Sequence, residues 1–134
     1  MGMSCVRFRG KEIWQADGDI ELWLYALARE VEKVPQRSSV LNRAGELWRQ
    51  EYSTGFGGAP NPHLDELCNS DDCISVIVGV ARRALAALVT SPIIPKDELN
   101  RAEVGGDFHW TSDGSASGAI ELGRAFIELL EGSK

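Results

Sequence analysis

Basic residues are the first thing this sequence is short of. It has 14 Lys and Arg against 20 Asp and Glu, and its formal net charge is −6. Nucleic acid and anionic membrane surfaces are therefore not expected partners, since both need a basic stripe to displace counterions. Cysteine is scarce too. Cys5, Cys68 and Cys73 are an odd number and too few for a disulfide framework, so free thiols in a reducing compartment are expected. The opening MGMSCVRFRG lacks the apolar h-region of a secretory signal, and a cytoplasmic protein is expected. The one run long enough to cross a bilayer is broken by Arg82 and Arg83, each costing about 2.5–3.5 kcal/mol at the bilayer centre, and is read as a soluble core helix.

Reaction signatures are also missing. No G-x-S-x-G elbow occurs. The Gly55-Phe56-Gly57-Gly58 loop lacks the lysine and hydroxyl of a phosphate-binding loop and follows no strand, so it reads as a connector. Cys68 and Cys73 have the gap of some metal frameworks but no second cysteine pair to complete four ligands. His63 and His109, the only histidines, would have to meet Asp65, Glu66, Asp107 or Asp113 to make a metal or acid–base site, and their spacing does not require it. No catalytic residue, metal or cofactor is assigned.

What the chain does contain is apolar periodicity. With 134 residues, 43% of them apolar and 25% charged, it is expected to form one domain over residues 1–134 with a real core. The stretch Asp71–Thr90 places Ile74, Ile77, Val78, Ala81, Leu85 and Leu88 at helical spacing, with Cys73, Val76, Val80, Ala84 and Ala87 beside them. A helix apolar over so much of its circumference needs cover on several sides. The expected fold is mainly α, a compact bundle around this central buried helix (about 72–90), with Cys73–Val89 the most buried segment.

Before it, Cys5–Trp14 alternates Val6 and Phe8 with arginines around a turn at Arg9-Gly10-Lys11, which predicts a small β-hairpin. Asp17-Gly18-Asp19 offers a carboxylate N-cap to a helix carrying Ile20, Trp23, Leu24, Leu27, Val31 and Val34, and Pro35 ends it. Ser38 or Ser39 caps a second helix to about Tyr52, and Asn61-Pro62 starts a short third one through Leu67. Beyond Thr90, SPIIP is extended and Pro95–Ala102 is a short helix. Glu103–Gly114 is an aromatic-bearing loop or irregular hairpin, and Ser115 or Ser117 caps a last helix to Leu130. Trp23 and Trp48 lie on apolar faces, whereas Trp110, in Asp107-Phe108-His109-Trp110, is the better candidate for a surface anchor.

The succession Phe8-x-Gly10, Trp14, Asp19-Ile20-Glu21-Leu22-Trp23-Leu24, the Gly55-Phe56-Gly57 loop before Leu64-Asp65, and Gly123-Arg124-Ala125-Phe126 resembles small cytoplasmic bacterial proteins of uncharacterised families, some of them similar to immunity proteins encoded beside secreted toxins. The resemblance is architectural and transfers no functional residue. It implies a protein-binding module that neutralises a basic toxin, and the negative field suits such a partner. The residues expected to meet it are Asp17, Asp19, Glu21, Asp107, Trp110 and Asp113. Two alternatives stand beside this: a small-ligand binder or enzyme using the Gly55–Pro62 loop with His63 and His109, and a structural homodimer or larger homo-oligomer.

Overall fold

The alternation of apolar and polar residues at the N-terminus folds as a hairpin that runs without a break into a helix. The computed structural model describes residues 2–53 and 59–133, so the Gly55–Gly58 loop lies outside the described residues. Strands β1 (Met3–Phe8) and β2 (Lys11–Ala16) pair antiparallel with Phe8 opposite Lys11, Val6 opposite Ile13 and Cys5 opposite Trp14. The loop between them is two residues long, with φ of 50° at Arg9 and 82° at Gly10, the double positive φ that matches the twist of paired strands. Period-two alternation sends Val6 and Phe8 inward, where both are fully buried, and turns Cys5, Arg7 and Trp14 outward.

Helix α1 (Asp17–Glu32) follows at once. Its N-cap is Ala16, with no side-chain cap, which corrects the expected carboxylate cap at Asp17-Gly18-Asp19. The Asp17 N–H instead donates to the Gly2 carbonyl at 3.0 Å, so the strand pairing itself satisfies one of the helix's open donors.

Helix α2 (Ser39–Tyr52) is capped by Ser38, whose Oγ accepts from the Leu41 N–H at 3.4 Å. In front of α3 (Leu64–Leu67) the N-cap is His63 in the left-handed region, not Asn61 or Pro62; the Asn61 Oδ1 accepts from the His63 N–H at 2.9 Å and bends the chain into that cap. Helix α4 (Asp71–Thr90) starts at Ser70, which accepts from the Cys73 N–H at 3.2 Å. Its Ile74, Ile77, Val78, Ala81 and Leu88 are buried as the periodicity predicts, while Ser75, Arg82, Ala86 and Thr90 face solvent. By length and composition this helix is apolar enough to cross a membrane; in this fold its apolar side packs on α1 and α6.

Among the described residues the structure is mainly helical, 59%, with six helices and the small N-terminal hairpin, as the pattern predicts. Burial is deepest in α1 rather than in Cys73–Val89: 10 of the 16 residues of α1 are buried, against 7 of 20 in α4. The reason is position. α1 is enclosed by α2, α4, α6 and β2, whereas the polar stripe of α4 keeps one side of that helix at the surface.

After α4, β3 (Ile93–Ile94) pairs antiparallel with β4 (Gly114–Ser115), a second two-stranded sheet where the sequence suggested only extended chain and a loop. Between them lie α5 (Lys96–Arg101) and a run of turns. Gly114 is what permits the pairing, because a Cβ there would meet Leu99 Cδ1 at 2.8 Å. Helix α6 (Ser117–Glu131) has Ala116 at its N-cap without a side-chain cap; Ser115 Oγ takes the Ser117 N–H at 3.4 Å from one position further back. α6 closes the core where Trp23 and Phe126 stack edge to face at 5.5 Å.

Candidate functional site

The residues expected to meet a partner fall into two groups, and most of them are held by the fold. Asp17 accepts from the Ser4 hydroxyl at 2.5 Å, and Asp19 accepts from Gln15 Nε2 at 2.9 Å, so both fasten the hairpin to α1. Asp19 also lies hard against the start of α6, where a Cβ on Gly118 would come within 2.2 Å of its Oδ2. Glu21 is half-buried, and burial first and the neighbouring Asp17 second push its carboxyl up to about 7.

In the second group, Asp113 accepts from the Lys96 N–H at 2.9 Å and so finishes the N-terminus of α5 from across the chain. Trp110 is half-buried. Its backbone exchanges two hydrogen bonds with the Asn100 side chain, at 2.7 and 3.0 Å, and its indole N–H donates to the Val104 carbonyl at 2.9 Å. Trp110 covers Gly114 and the small β3–β4 sheet. Asp107 is exposed on the adjoining turn beside His109, also exposed. No hydrogen bond or ion pair joins the two groups among the described residues.

The two histidines are not brought together by any contact among the described residues. His63 Nε2 lies 3.1 Å from Glu51 Oε2, and Glu51 Oε1 takes the Asn61 N–H at 2.9 Å, so this carboxylate clamps the segment before α3 onto α2. No group of three or more His, Cys, Asp or Glu side chains converges among the described residues. The three cysteines are free thiols; Cys68 is buried, and burial with the nearby Cys73 pushes its thiol up to about 12.

A second polar cluster joins α1 to α5. Tyr25 donates its hydroxyl hydrogen to Glu98, and Arg29 Nη1 meets the same carboxylate oxygen at 2.8 Å. The Arg29 guanidinium lies over the Tyr25 ring at 5.3 Å, and its buried Nε has no partner among the described residues. Burial and Glu98 raise the Tyr25 hydroxyl well above its ordinary range, so it stays a donor.

The outer face of the hairpin carries the most exposed apolar side chains among the described residues. Trp14 is 60% exposed and Met3 62%, the two most exposed large apolar side chains described. Beside them a groove of about 550 Å³ runs between β1 and the segment from Ala59 to Glu66. Met3, Cys5 and Arg7 form one side, and Asn61, Asp65 and Glu66 stand on the other. No family model, curated protein or solved structure matches this chain.

In the groove, Arg7 is neutralised by Glu12 in a 3.1 Å ion pair, and Glu66 meets Arg43 at 3.1 Å on its outer side. Asp65 accepts a backbone hydrogen bond from the Arg9 N–H at 3.0 Å and forms no ion pair among the described residues. An exposed indole beside a carboxylate is a surface that can anchor a polypeptide. Sequence reasoning passed over Trp14, although the alternation Val6, Phe8 inward and Cys5, Arg7 outward carried the signal once the loop is taken as two residues.

Proposed function

We propose that this chain is a protein-binding module acting in the cytoplasm, and that it meets a basic partner with the outer face of its N-terminal hairpin. The observation that carries the reading is the exposure of Trp14 and Met3 beside Asp65 and Glu66. Aromatic anchors dominate protein interfaces, and isolated exposure of two large apolar side chains on a rigid strand pair gives such an anchor a fixed geometry. The net charge of −6 favours encounter with a basic protein. A basic toxin kept harmless in its producer is the kind of partner that the resemblance to immunity proteins suggests. Asp17 and Asp19 then act chiefly as the mounting of the hairpin on α1.

The test compares tagged wild type, Trp14→Ala and Trp110→Ala in affinity capture from source-cell lysate, followed by titration of the purified partner. The expected result is a partner lost with Trp14→Ala, with affinity falling roughly 30-fold for a hot-spot loss of about 2 kcal/mol. Retention of that partner by Trp14→Ala together with its loss in Trp110→Ala moves the interface to the far loop and overturns the assignment.

A further inference from the structure

We infer that the partner is gripped as an extended basic segment that adds a third strand to the free edge of β1, along the groove. The inference rests on the protein-binding reading above and specifies its recognition mode.

The parity of the hairpin decides which backbone groups are free. The Asp17 N–H donates to the Gly2 carbonyl at 3.0 Å, and Phe8 pairs with Lys11 across the two-residue loop. Antiparallel pairs alternate between hydrogen-bonded and non-hydrogen-bonded positions. Gly2, Ser4, Val6 and Phe8 therefore bond inward to β2, and Met3, Cys5 and Arg7 turn their N–H and C=O groups away from it. None of those outward groups has a hydrogen-bond partner among the described residues. An unpaired strand edge is a template for another strand.

The groove lies along this same edge. Met3, Ser4, Cys5 and Arg7 line one side of it over a length of roughly 15 Å, at about 3.3 Å per residue. At one end the Arg9 N–H is already taken by Asp65, which closes the pairing where the turn begins. A strand laid beside β1 would alternate its side chains between the outer face, over Trp14 and Met3, and the opposite face. With Arg7 paired to Glu12 and Glu66 to Arg43, the carboxylate left without a basic side-chain partner along the trough, among the described residues, is Asp65. Lys or Arg on the incoming strand meets that charge.

The experiment selects heptapeptides from a random phage-displayed library on the wild-type protein and measures the synthetic winners against three variants. Arg7→Pro removes the outward N–H without touching the β2 ladder, since proline is tolerated where a strand's N–H faces away from its partner. Arg7→Ala controls for the lost ion pair, and Trp14→Ala tests the face. Circular dichroism confirms that each variant folds. The expected winners carry Lys or Arg at alternate positions, keep their affinity within about 3-fold on Arg7→Ala, and lose 10-fold or more on Arg7→Pro. Amide exchange at Cys5 and Arg7 should slow on binding. Winners indifferent to Arg7→Pro but lost with Trp14→Ala would overturn strand addition while leaving the binding face in place. Winners indifferent to both, or no enrichment over background, would overturn both. A homodimer in sedimentation that Arg7→Pro dissolves would assign the edge to a second copy and overturn the peptide.

Discussion

Cys5 and Trp14 stand directly opposite each other on the outer face of the hairpin, a pair that points away from the core while Val6 and Phe8, at the alternate positions of β1, fill it. Trp14 is thus the one tryptophan that packing leaves exposed: Trp23 and Trp48 are fully buried, and Trp110 is tied down by three hydrogen bonds. Stability should reflect this. Trp14→Ala is expected to change unfolding free energy by about 0.5 kcal/mol or less, as for a surface position, whereas Trp110→Ala should cost about 2–3 kcal/mol in lost packing and an orphaned carbonyl at Val104. Urea titrations of the two variants measure it. Equal losses would mean that Trp14 belongs to the core.

The helices were legible because their signal is long. Twenty residues of Asp71–Thr90 repeat the 3.6 period several times, and the boundaries match the observed helix. The face of Trp14 was not legible for the opposite reason. Taking the turn as Arg9-Gly10-Lys11 leaves the register open by one residue, and one residue flips every side chain to the other face; Arg9 at φ 50° shortens the loop and fixes Cys5 against Trp14. The primacy of α1 over α4 was hidden likewise, because composition measures how apolar a helix is and not how many neighbours enclose it. Hydrogen bonds from the Ser4 hydroxyl to Asp17 and from the Lys96 N–H to Asp113 join positions far apart in the chain, so no local pattern could separate these carboxylates from free surface charge.

Gly123 sets the distance between α1 and α6. A Cβ at this position would meet Trp23 ring carbons at 2.8 and 2.9 Å and Leu85 Cδ1 at 3.3 Å. Gly123→Ala should therefore destabilise by about 1–3 kcal/mol even though alanine is the better helix former. Thermal unfolding tests it, and a rise in Tm would show that the two helices separate freely.

Glu98 holds α5 to α1 through two donors at once, the Tyr25 hydroxyl and Arg29 Nη1. Replacing it with alanine leaves a guanidinium whose buried Nε is already unpartnered with no acceptor at all. Because both Arg29 and Glu98 side chains are about 30% exposed, at 29% and 32%, water softens the loss to about 1–2 kcal/mol. The distinguishing readout is local. Amide exchange should quicken in α5 and the turns after it while α4 stays protected, and uniform acceleration would contradict an anchoring role.

Glu21 gives the fold a pH dependence near neutrality. Its carboxyl is pushed up to about 7 by burial and by Asp17, against an ordinary value near 4.5 in the unfolded chain. Between these two values the folded state holds more protons at Glu21 than the unfolded one, so the Glu21 contribution to stability is greatest below about 4.5 and is lost as pH rises through 7. The effect should be on the order of 1 kcal/mol, since the side chain is only half-buried. Glu21→Gln keeps the shape and removes the titration. It should match the wild type at pH 5, exceed it at pH 8, and flatten the profile between. Asp17→Asn, which preserves an acceptor for Ser4, should lower the Glu21 midpoint by removing the second cause. Carbon-13 NMR of the Glu21 carboxyl reads the midpoint directly, and a value near 4.5 in the wild type would show that the side chain is solvated. In that case Glu21 would be a free charge at neutral pH, and the acidic end of α1 would return as a surface for a basic partner.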